Sequence, residues 1–465
     1  MRSAAALRGI SAAALCVAAV LAFGSGGALS APITTKEGVL PPGTELNEDL
    51  LDQPTELFSS ELAGGKRSYL VNLGDLLFSS PSILGGLAKQ AGMSCASCHQ
   101  QGHNNPKLFI PGLSSRPGTF DTSGALFNPK ADNGVFDPVR VPSLRGAKYL
   151  APYTHDGRFP TLREFIRNAV VNEFAGPEPS AQIVDALEAY IKDISFLPNP
   201  KLAAAGRLSG ENSDAARRGE ALFNRPFRSN ASMSCTSCHQ PSGAFVDHAL
   251  HDVGTGGLFK TPTLINANFN APYFHDGRFD SYRQVVDYFD RHFDLGLSQD
   301  EHADLVAYLD AVGDASEPLT RNAVQAELDE IGQFMSVLDT AIPERNREVI
   351  ALTTDVVGNE LRELGENFPG RSDTSVSGGL GERLKARGAV RGLVLTLRRI
   401  AMAADAGDFA EAATAYSDYR QDVVAAAGDL KRAESFSLYD PQVRAAHFDA
   451  LRQLTDLAEA ALPKR

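Results

Sequence analysis

The stretch Cys95-Ala96-Ser97-Cys98-His99 decides the fold, and it has a second copy at Cys235-Thr236-Ser237-Cys238-His239. A C-x-x-C-H sequence is the attachment signal for a c-type haem, with the histidine as a ligand of the iron. A redox-active cysteine pair or a zinc site would leave the histidine unexplained in both copies. The two boxes therefore predict two covalently bound haem c groups. The predicted attachment and proximal residues are Cys95, Cys98, His99, Cys235, Cys238 and His239.

The first thirty residues have the features of an export signal. Two arginines precede an apolar run from Ile10 to Phe23, and the small-residue sequence Ala28-Leu29-Ser30 follows. This pattern predicts a cleaved secretory signal over residues 1–30, with an uncleaved membrane anchor as the alternative. Cleavage would remove Cys16, so that every remaining cysteine lies in a box. We therefore expect a periplasmic protein with no membrane span after cleavage.

The composition limits the classes of partner. The chain has 465 residues, of which 44 are Lys or Arg and 57 are Asp or Glu, and its formal net charge is −13. An acidic chain lacks the basic surface that nucleic-acid binding requires. The hydrophobic content of 43 % is typical of a folded protein rather than a disordered one. We expect no nucleic-acid partner.

An internal repeat surrounds the boxes. The segment Ala151–Phe159 recurs as Ala271–Phe279, and eight of the nine positions are identical. Each copy is preceded by a short Pro-Ser-Leu or Pro-Thr-Leu motif, at Pro142 and Pro262, and each is followed by an apolar pattern of helical period. The repeat predicts two tandem helical haem domains, over residues 31–200 and 201–315.

These motifs resemble the bacterial di-haem cytochrome c peroxidase family, which includes the di-haem enzyme of methylamine utilisation. The resemblance covers about residues 65–315 and implies two all-α cytochrome c domains. It also implies a periplasmic oxidoreductase in which one haem receives electrons and the other meets hydrogen peroxide. A small cytochrome c or a cupredoxin is the expected electron donor.

The distal ligands of the two irons are less clear from the sequence. No methionine lies between His99 and Met233, so the usual downstream sulfur ligand is missing from the first domain. In the second domain the family places a Met or Tyr ligand at a position that is Phe289 here. We expect His292 to be the distal ligand there and Tyr288 to be the second candidate, because both lie on one face of a helix. The alternative is that both are packing residues.

Two residues are candidates for catalysis. Glu173 loosely matches the place of the acid–base glutamate that the resemblance implies, and a carboxylate over an open iron could move a proton between the peroxide oxygens. A solvated glutamate at a helix end is the alternative. His155 is the second candidate, although its His-Asp-Gly turn could instead cap a helix and bind a haem propionate.

The family relays electrons between its haems through a tryptophan, and this chain contains none. Tyr153, Tyr273 or direct contact between the haems would have to replace it, unless the haems are not coupled. Asp247 and Asp252 suggest a calcium ion, but two carboxylates do not make a site.

Residues 316–465 read as an amphipathic helical bundle of unknown role, with breaks at Pro343, from Pro369 to Gly381 and at Gly407. We expect a docking scaffold or a homodimer interface. The overall prediction is an all-α protein with two tandem c-type cytochrome domains followed by this bundle. Its function would be that of a di-haem peroxidase. The alternatives are a di-haem electron-transfer cytochrome without a substrate site, and oxidation of a protein or organic substrate through high-valent iron.

Overall fold

The computed structural model describes residues 39–46, 55–316, 323–371, 373, 375–376 and 378–461, which are predominantly helical. The signal predicted for residues 1–30 lies outside them. The α-helices are α1 Ser59–Leu62, α2 Tyr69–Phe78, α3 Gly86–Gln90, α4 Cys95–Cys98, α5 Leu162–Asn168, α6 Ala181–Asp193, α7 Asp214–Asn224, α8 Cys235–Cys238, α9 Tyr282–Phe293, α10 Gln299–Gly313, α11 Val324–Ser336, α12 Leu338–Ala341, α13 Arg347–Glu366, α14 Leu380–Ala406, α15 Phe409–Ala433 and α16 Pro441–Ala461. The predicted all-α class is confirmed.

A helix that precedes each box crosses the last helix of its repeat at a glycine. A Cβ atom added at Gly74 on α2 would lie 2.0 Å from the carbonyl oxygen of Ala186 on α6. A Cβ atom at Gly219 on α7 would lie 2.0 Å from the carbonyl oxygen of Asp304 on α10. Only glycine allows the two helix backbones to approach this closely. The two repeats therefore build the same helix pair in the same way.

A single methyl group at this crossing should be costly. We expect Gly74→Ala to destabilise the first domain by about 2 kcal/mol, because the backbone of α6 must move to make room. Gly392→Ala is the matched control, since Gly392 lies inside α14 with no atom near its added Cβ, and it should stabilise the helix by about 1 kcal/mol. Denaturant unfolding followed by circular dichroism measures both. Equal effects of the two substitutions would contradict the close crossing.

Two small antiparallel strand pairs lie between the boxes and the repeated turns. The first pair is β1 Thr119–Phe120 with β2 Val139–Arg140, and the second is β3 Leu250–Asp252 with β4 Leu258–Lys260. The second strand of each pair ends two residues before the repeated Pro-Ser-Leu or Pro-Thr-Leu motif. The strands thus place Arg140 and Lys260 at equivalent positions of the repeat.

Each strand pair is bonded to the repeated turn of the other half. The Arg140 amide donates to the His275 carbonyl at 2.7 Å, and the Lys260 amide donates to the His155 carbonyl, also at 2.7 Å. Arg140 and Lys260 are 120 residues apart, as are His155 and His275. The two halves therefore exchange equivalent bonds, as expected for a duplicated unit that faces its copy.

The C-terminal helices share a hydrophobic core with the first repeat, whereas the second repeat has its own core. Helix α11 packs against α2, and the Asn72 side chain donates to the Ser336 hydroxyl at 3.0 Å. The predicted breaks at Pro343 and Gly407 fall between helices, and Gly407 has the left-handed backbone typical of a helix end. The break predicted from Pro369 to Gly381 overlaps the first two residues of α14. The described residues contain no helix long and apolar enough to cross a bilayer.

Candidate functional site

Both cysteine boxes form one short helical turn with the same cap. The Ser94 amide donates to the Ser97 hydroxyl at 3.1 Å, and the Ser234 amide donates to the Ser237 hydroxyl at 2.9 Å. Each turn places its two cysteines three residues apart, on one face of the helix. None of the four box cysteines forms a disulfide. Both boxes therefore present a pair of thiols to one side, as thioether attachment to a porphyrin requires.

The histidine of each box is oriented by a backbone carbonyl. His99 Nδ1 donates to the Pro142 carbonyl at 3.0 Å, and His239 Nδ1 donates to the Phe245 carbonyl at 3.1 Å. Since a carbonyl can only accept, the proton is on Nδ1 and the lone pair of Nε2 is available to a metal. Burial lowers the pKa of His99 to about 4, so that its ring is neutral at physiological pH. This is the protonation state of a metal ligand.

Matching aromatic side chains pack around the two histidines. Phe78 lies 5.0 Å from the ring of Tyr190 and 6.3 Å from that of His99. In the second repeat Phe223 lies 4.9 Å from Tyr308 and 6.2 Å from the ring of the box histidine. These distances are between ring centroids. The close helix crossing and the histidine environment are thus repeated together.

A cavity of about 400 Å³ adjoins the first box. This volume lies within the range of roughly 300–1,000 Å³ that small-molecule and cofactor sites occupy. Its lining is mostly apolar and comes from both repeats, including Phe78, Leu144, Leu187, Ile191, Phe259 and Ile265. The first box and the β4 segment of the second repeat therefore face one shared space.

Two cations in this cavity fit a haem, of which Arg140 is buried and Lys260 is half-buried. Arg140 is 8 % exposed and its Nε has no hydrogen-bond partner. The Lys260 ammonium donates to the carbonyls of Leu150 and Pro152, each at 2.7 Å. Burial lowers the pKa of Arg140 to about 10 and that of Lys260 to about 8. Among the described residues neither cation has a carboxylate partner, so the pair is suited to the acidic propionates of a haem.

Glu173 lies in the wall of the same cavity, at a distortion of the helix that carries it. Helix α5 continues as a π-helical turn over Ala169–Glu173, and the Phe174 amide bonds to the Ala169 carbonyl five residues back. Such turns are often found at functional sites. The carboxylate accepts from Asn168 Nδ2 at 2.9 Å, and burial raises its pKa to about 7.

His155 also lines the cavity, and its ring is bonded to the backbone. Its Nε2 donates to the Arg140 carbonyl at 2.7 Å, and burial lowers its pKa to about 3. The equivalent His275 stacks on Phe259, with 3.5 Å between the ring centroids. This bond to the backbone favours a structural role for the turn over proton exchange by His155. The assignment of His155 to catalysis stays a prediction.

The two distal candidates of the second repeat lie together on α9. The Tyr288 hydroxyl donates to the Val253 carbonyl at 2.6 Å, and the His292 ring stacks on Tyr288 with 5.8 Å between centroids. Both side chains approach Gly254 in the loop between β3 and β4. Phe289 packs edge-on against Tyr288. The structure brings the candidates together, and which of them ligates an iron stays a prediction.

The two carboxylates weighed for calcium are engaged separately. Asp247 accepts from His251 Nε2 at 2.6 Å, and these two residues lie close to the Cys238 sulfur. Asp252 instead accepts from the Gly254 amide at 2.8 Å. Because Cys238 belongs to the second haem box, we assign no separate metal to this cluster.

Arg140 and Lys260 were not predicted as site residues from the sequence. The signal was present, because each residue stands two positions before the repeated motif that begins at Pro142 or Pro262. A basic residue at the same place in both copies indicates a need for positive charge. Their places in the wall of the cavity, however, could be known only from the fold.

Comparison with known proteins supports the predicted family. The model of the family described as di-haem cytochrome c peroxidase matches residues 213–336. Hydrazine synthase subunit gamma of Kuenenia stuttgartiensis is 25 % identical over 307 residues, which is 53 % of this chain and 78 % of that protein. The methylamine utilization protein MauG of Methylophilus methylotrophus is 22 % identical over 285 residues, 49 % of this chain and 78 % of that protein. A solved Kuenenia stuttgartiensis hydrazine synthase has a TM-score of 0.41 at 22 % identity, covering 62 % of this chain and 98 % of that one.

Proposed function

We propose that this chain belongs to the di-haem cytochrome c peroxidase family, whose model matches residues 213–336, and that it reduces hydrogen peroxide. It is an oxidoreductase of the di-haem class, and the proposal concerns the reaction that it catalyses. In the proposed reaction the O–O bond of hydrogen peroxide breaks, and two electrons and two protons convert it to two molecules of water. The electrons come from a small redox protein, a cytochrome c or a cupredoxin.

One observation carries the proposal: a buried carboxyl group, Glu173, shares the cavity of the first box with His99. A protein that only transfers electrons needs no titratable group inside a haem pocket. Because burial raises the pKa of Glu173 to about 7, the group can both accept and release a proton near neutral pH. Glu173 would take the proton from one peroxide oxygen and deliver it to the other, which then leaves as water.

The two boxes and the other residues of the cavity would hold the cofactors. Two haem c groups would be attached covalently through the box cysteines, with His99 and His239 as proximal ligands. When bound, the haem groups would pass on the donor's electrons and supply the iron that binds peroxide. Arg140 and Lys260 would bind propionates, while the apolar walls exclude water from the reacting atoms.

Electrons would pass between the repeats through their direct contact. The reciprocal bonds of Arg140 and Lys260 join the two halves, and in the second repeat the ring of Phe259 stacks on that of His275 beside this junction. We propose that this junction replaces the missing ring. Export through the signal at residues 1–30 would place the protein in the periplasm, where small electron donors are found.

Electron paramagnetic resonance and optical spectra of the haem-loaded protein test the proposal. In the half-reduced protein we expect one iron to be open to ligands and to respond when hydrogen peroxide is added. Two low-spin irons that peroxide leaves unchanged would instead support the electron-transfer alternative. Turnover with a protein or organic substrate but not with a small donor would favour the third hypothesis.

A further inference from the structure

The side chain that faces Glu173 from the repeated turn is Arg158. Its Nη2 lies 3.8 Å from Glu173 Oε1, and its Nη1 lies 3.3 Å from Asp156 Oδ2. The Arg158 side chain is 52 % exposed, whereas that of Glu173 is 9 % exposed. Arg158 therefore joins a buried acid to the surface at the mouth of the cavity. No other described ion pair involves Glu173.

We infer that Arg158 is the positioning residue of Glu173: its guanidinium holds the carboxylate toward the cavity mouth and favours its ionised form. This inference rests on the proposed role of Glu173 in peroxide reduction. The geometry that carries it is the arrangement of one half-exposed cation between a buried and an exposed carboxylate. Arg158 is itself not a catalytic residue, because it acts through Glu173.

Opposing influences on Glu173 support this role. Burial raises the pKa of the carboxyl group, and the positive charge of Arg158 lowers it. The hydrogen bond from Asn168 also lowers it. Other titratable or charged side chains also line the cavity. They are those of the first box, Tyr153 and Asp156, together with Asp121, Asp137, Arg140, Arg145, His155 and Lys260. Of all these cations, Arg158 is the one within 4 Å of the carboxylate.

The second repeat shows that an arginine at this position of the turn does not by itself form an ion pair with a buried carboxylate. Arg278, the equivalent of Arg158, bonds to Asp276 with Nε–Oδ2 at 2.7 Å. Helix α9 runs there as a regular α-helix from Tyr282 to Phe293, without the π-helical turn that carries Glu173 in the first repeat. The described residues provide no second carboxylate for Arg278. The repeat therefore contains a natural control for the proposed function of Arg158.

The experiment compares three variants of the haem-loaded protein. In Arg158→Gln the pH midpoint of peroxide reduction should rise by about one pH unit, because the nearby cation that favours the carboxylate is lost. The rate at pH 6 should then fall by roughly tenfold, since the ionised fraction falls in that proportion. Arg158→Lys keeps the positive charge, so its pH midpoint should lie close to that of the wild type. Arg278→Gln should leave the midpoint where it is in the wild type.

A second measurement separates this inference from the proposed function. Infrared difference spectra of the resting protein, without peroxide, follow the protonation of Glu173, and Glu173→Gln identifies the band. We expect Arg158→Gln to move the titration of this band upward even if the protein reduces no peroxide. An unchanged titration in Arg158→Gln would overturn the inference, and so would a loss of rate that is equal at every pH.

Discussion

Replacing Glu173 by Gln should lower the rate of peroxide reduction by about 10²–10⁴-fold, the range that general acid–base groups contribute. The amide has the shape of the carboxyl group but cannot carry a proton from one oxygen to the other. Because Gln can still pack in the same buried place beside Asn168, the absorption spectrum of the haems should not change. Stopped-flow measurement of the peroxide reaction, with the optical spectrum of the resting protein, gives both results.

Glu178→Gln is the control for this substitution. Glu178 lies five residues further along the chain, is 58 % exposed and pairs with Arg167 on the surface. Its replacement removes the same charge without entering the cavity, and exposed ion pairs of this kind contribute little to stability. We expect a wild-type rate. A wild-type rate in Glu173→Gln as well would remove the acid–base assignment, whatever the haems do.

The sequence was sufficient to predict the features that occur in both repeats. The two C-x-x-C-H boxes and the segment Ala151–Phe159 with its copy predicted a duplicated haem unit, and each prediction needed only local spacing. The structure adds the close crossing at Gly74, whose physical reason is contact between backbones far apart in the chain. The sequence showed the glycine but not the carbonyl of Ala186 that excludes a side chain there.

The environment of Glu173 could not be predicted from the sequence for a similar reason. Its place on a short helix after the turn was a loose match, and a solvated helix end was an equal alternative. The structure places it in a π-helical turn, where the backbone bond pattern aligns it with the cavity and with Arg158. No sequence pattern distinguishes this turn from a regular helix, because it depends on what packs around it.

The C-terminal bundle shows the limit of dividing a chain by composition. The breaks near Pro343 and Gly407 were predicted, since proline and glycine act on the local backbone. The core that α11 shares with α2 was not predicted. Both helices are amphipathic, and neither sequence indicates which face of one helix packs against which face of the other. The role of this bundle, as a docking scaffold or a homodimer interface, stays a prediction.

Removing the cysteines of one box should remove one covalent haem and leave the other. In the double variant Cys95→Ala, Cys98→Ala the mass of the purified protein should fall by one haem, and haem absorbance per chain should fall to about half, because each box attaches one group. The peroxide response should disappear with it, since the cavity of Glu173 belongs to the first box.

The same substitutions in the second box should give a different result. With Cys235→Ala and Cys238→Ala we also expect one haem per chain, but the remaining iron should still respond to peroxide once it is reduced chemically, while reduction by a small donor protein should fail. This outcome follows because the second repeat has a hydrophobic core separate from that of the first. Cys16→Ala is the control, since the predicted cleavage removes that residue, and it should leave both haems in place.

If either double variant kept two covalent haems, the attachment assignment would be wrong. If the second-box variant lost its peroxide response while the first-box variant kept it, the roles proposed for the two haems would have to be exchanged.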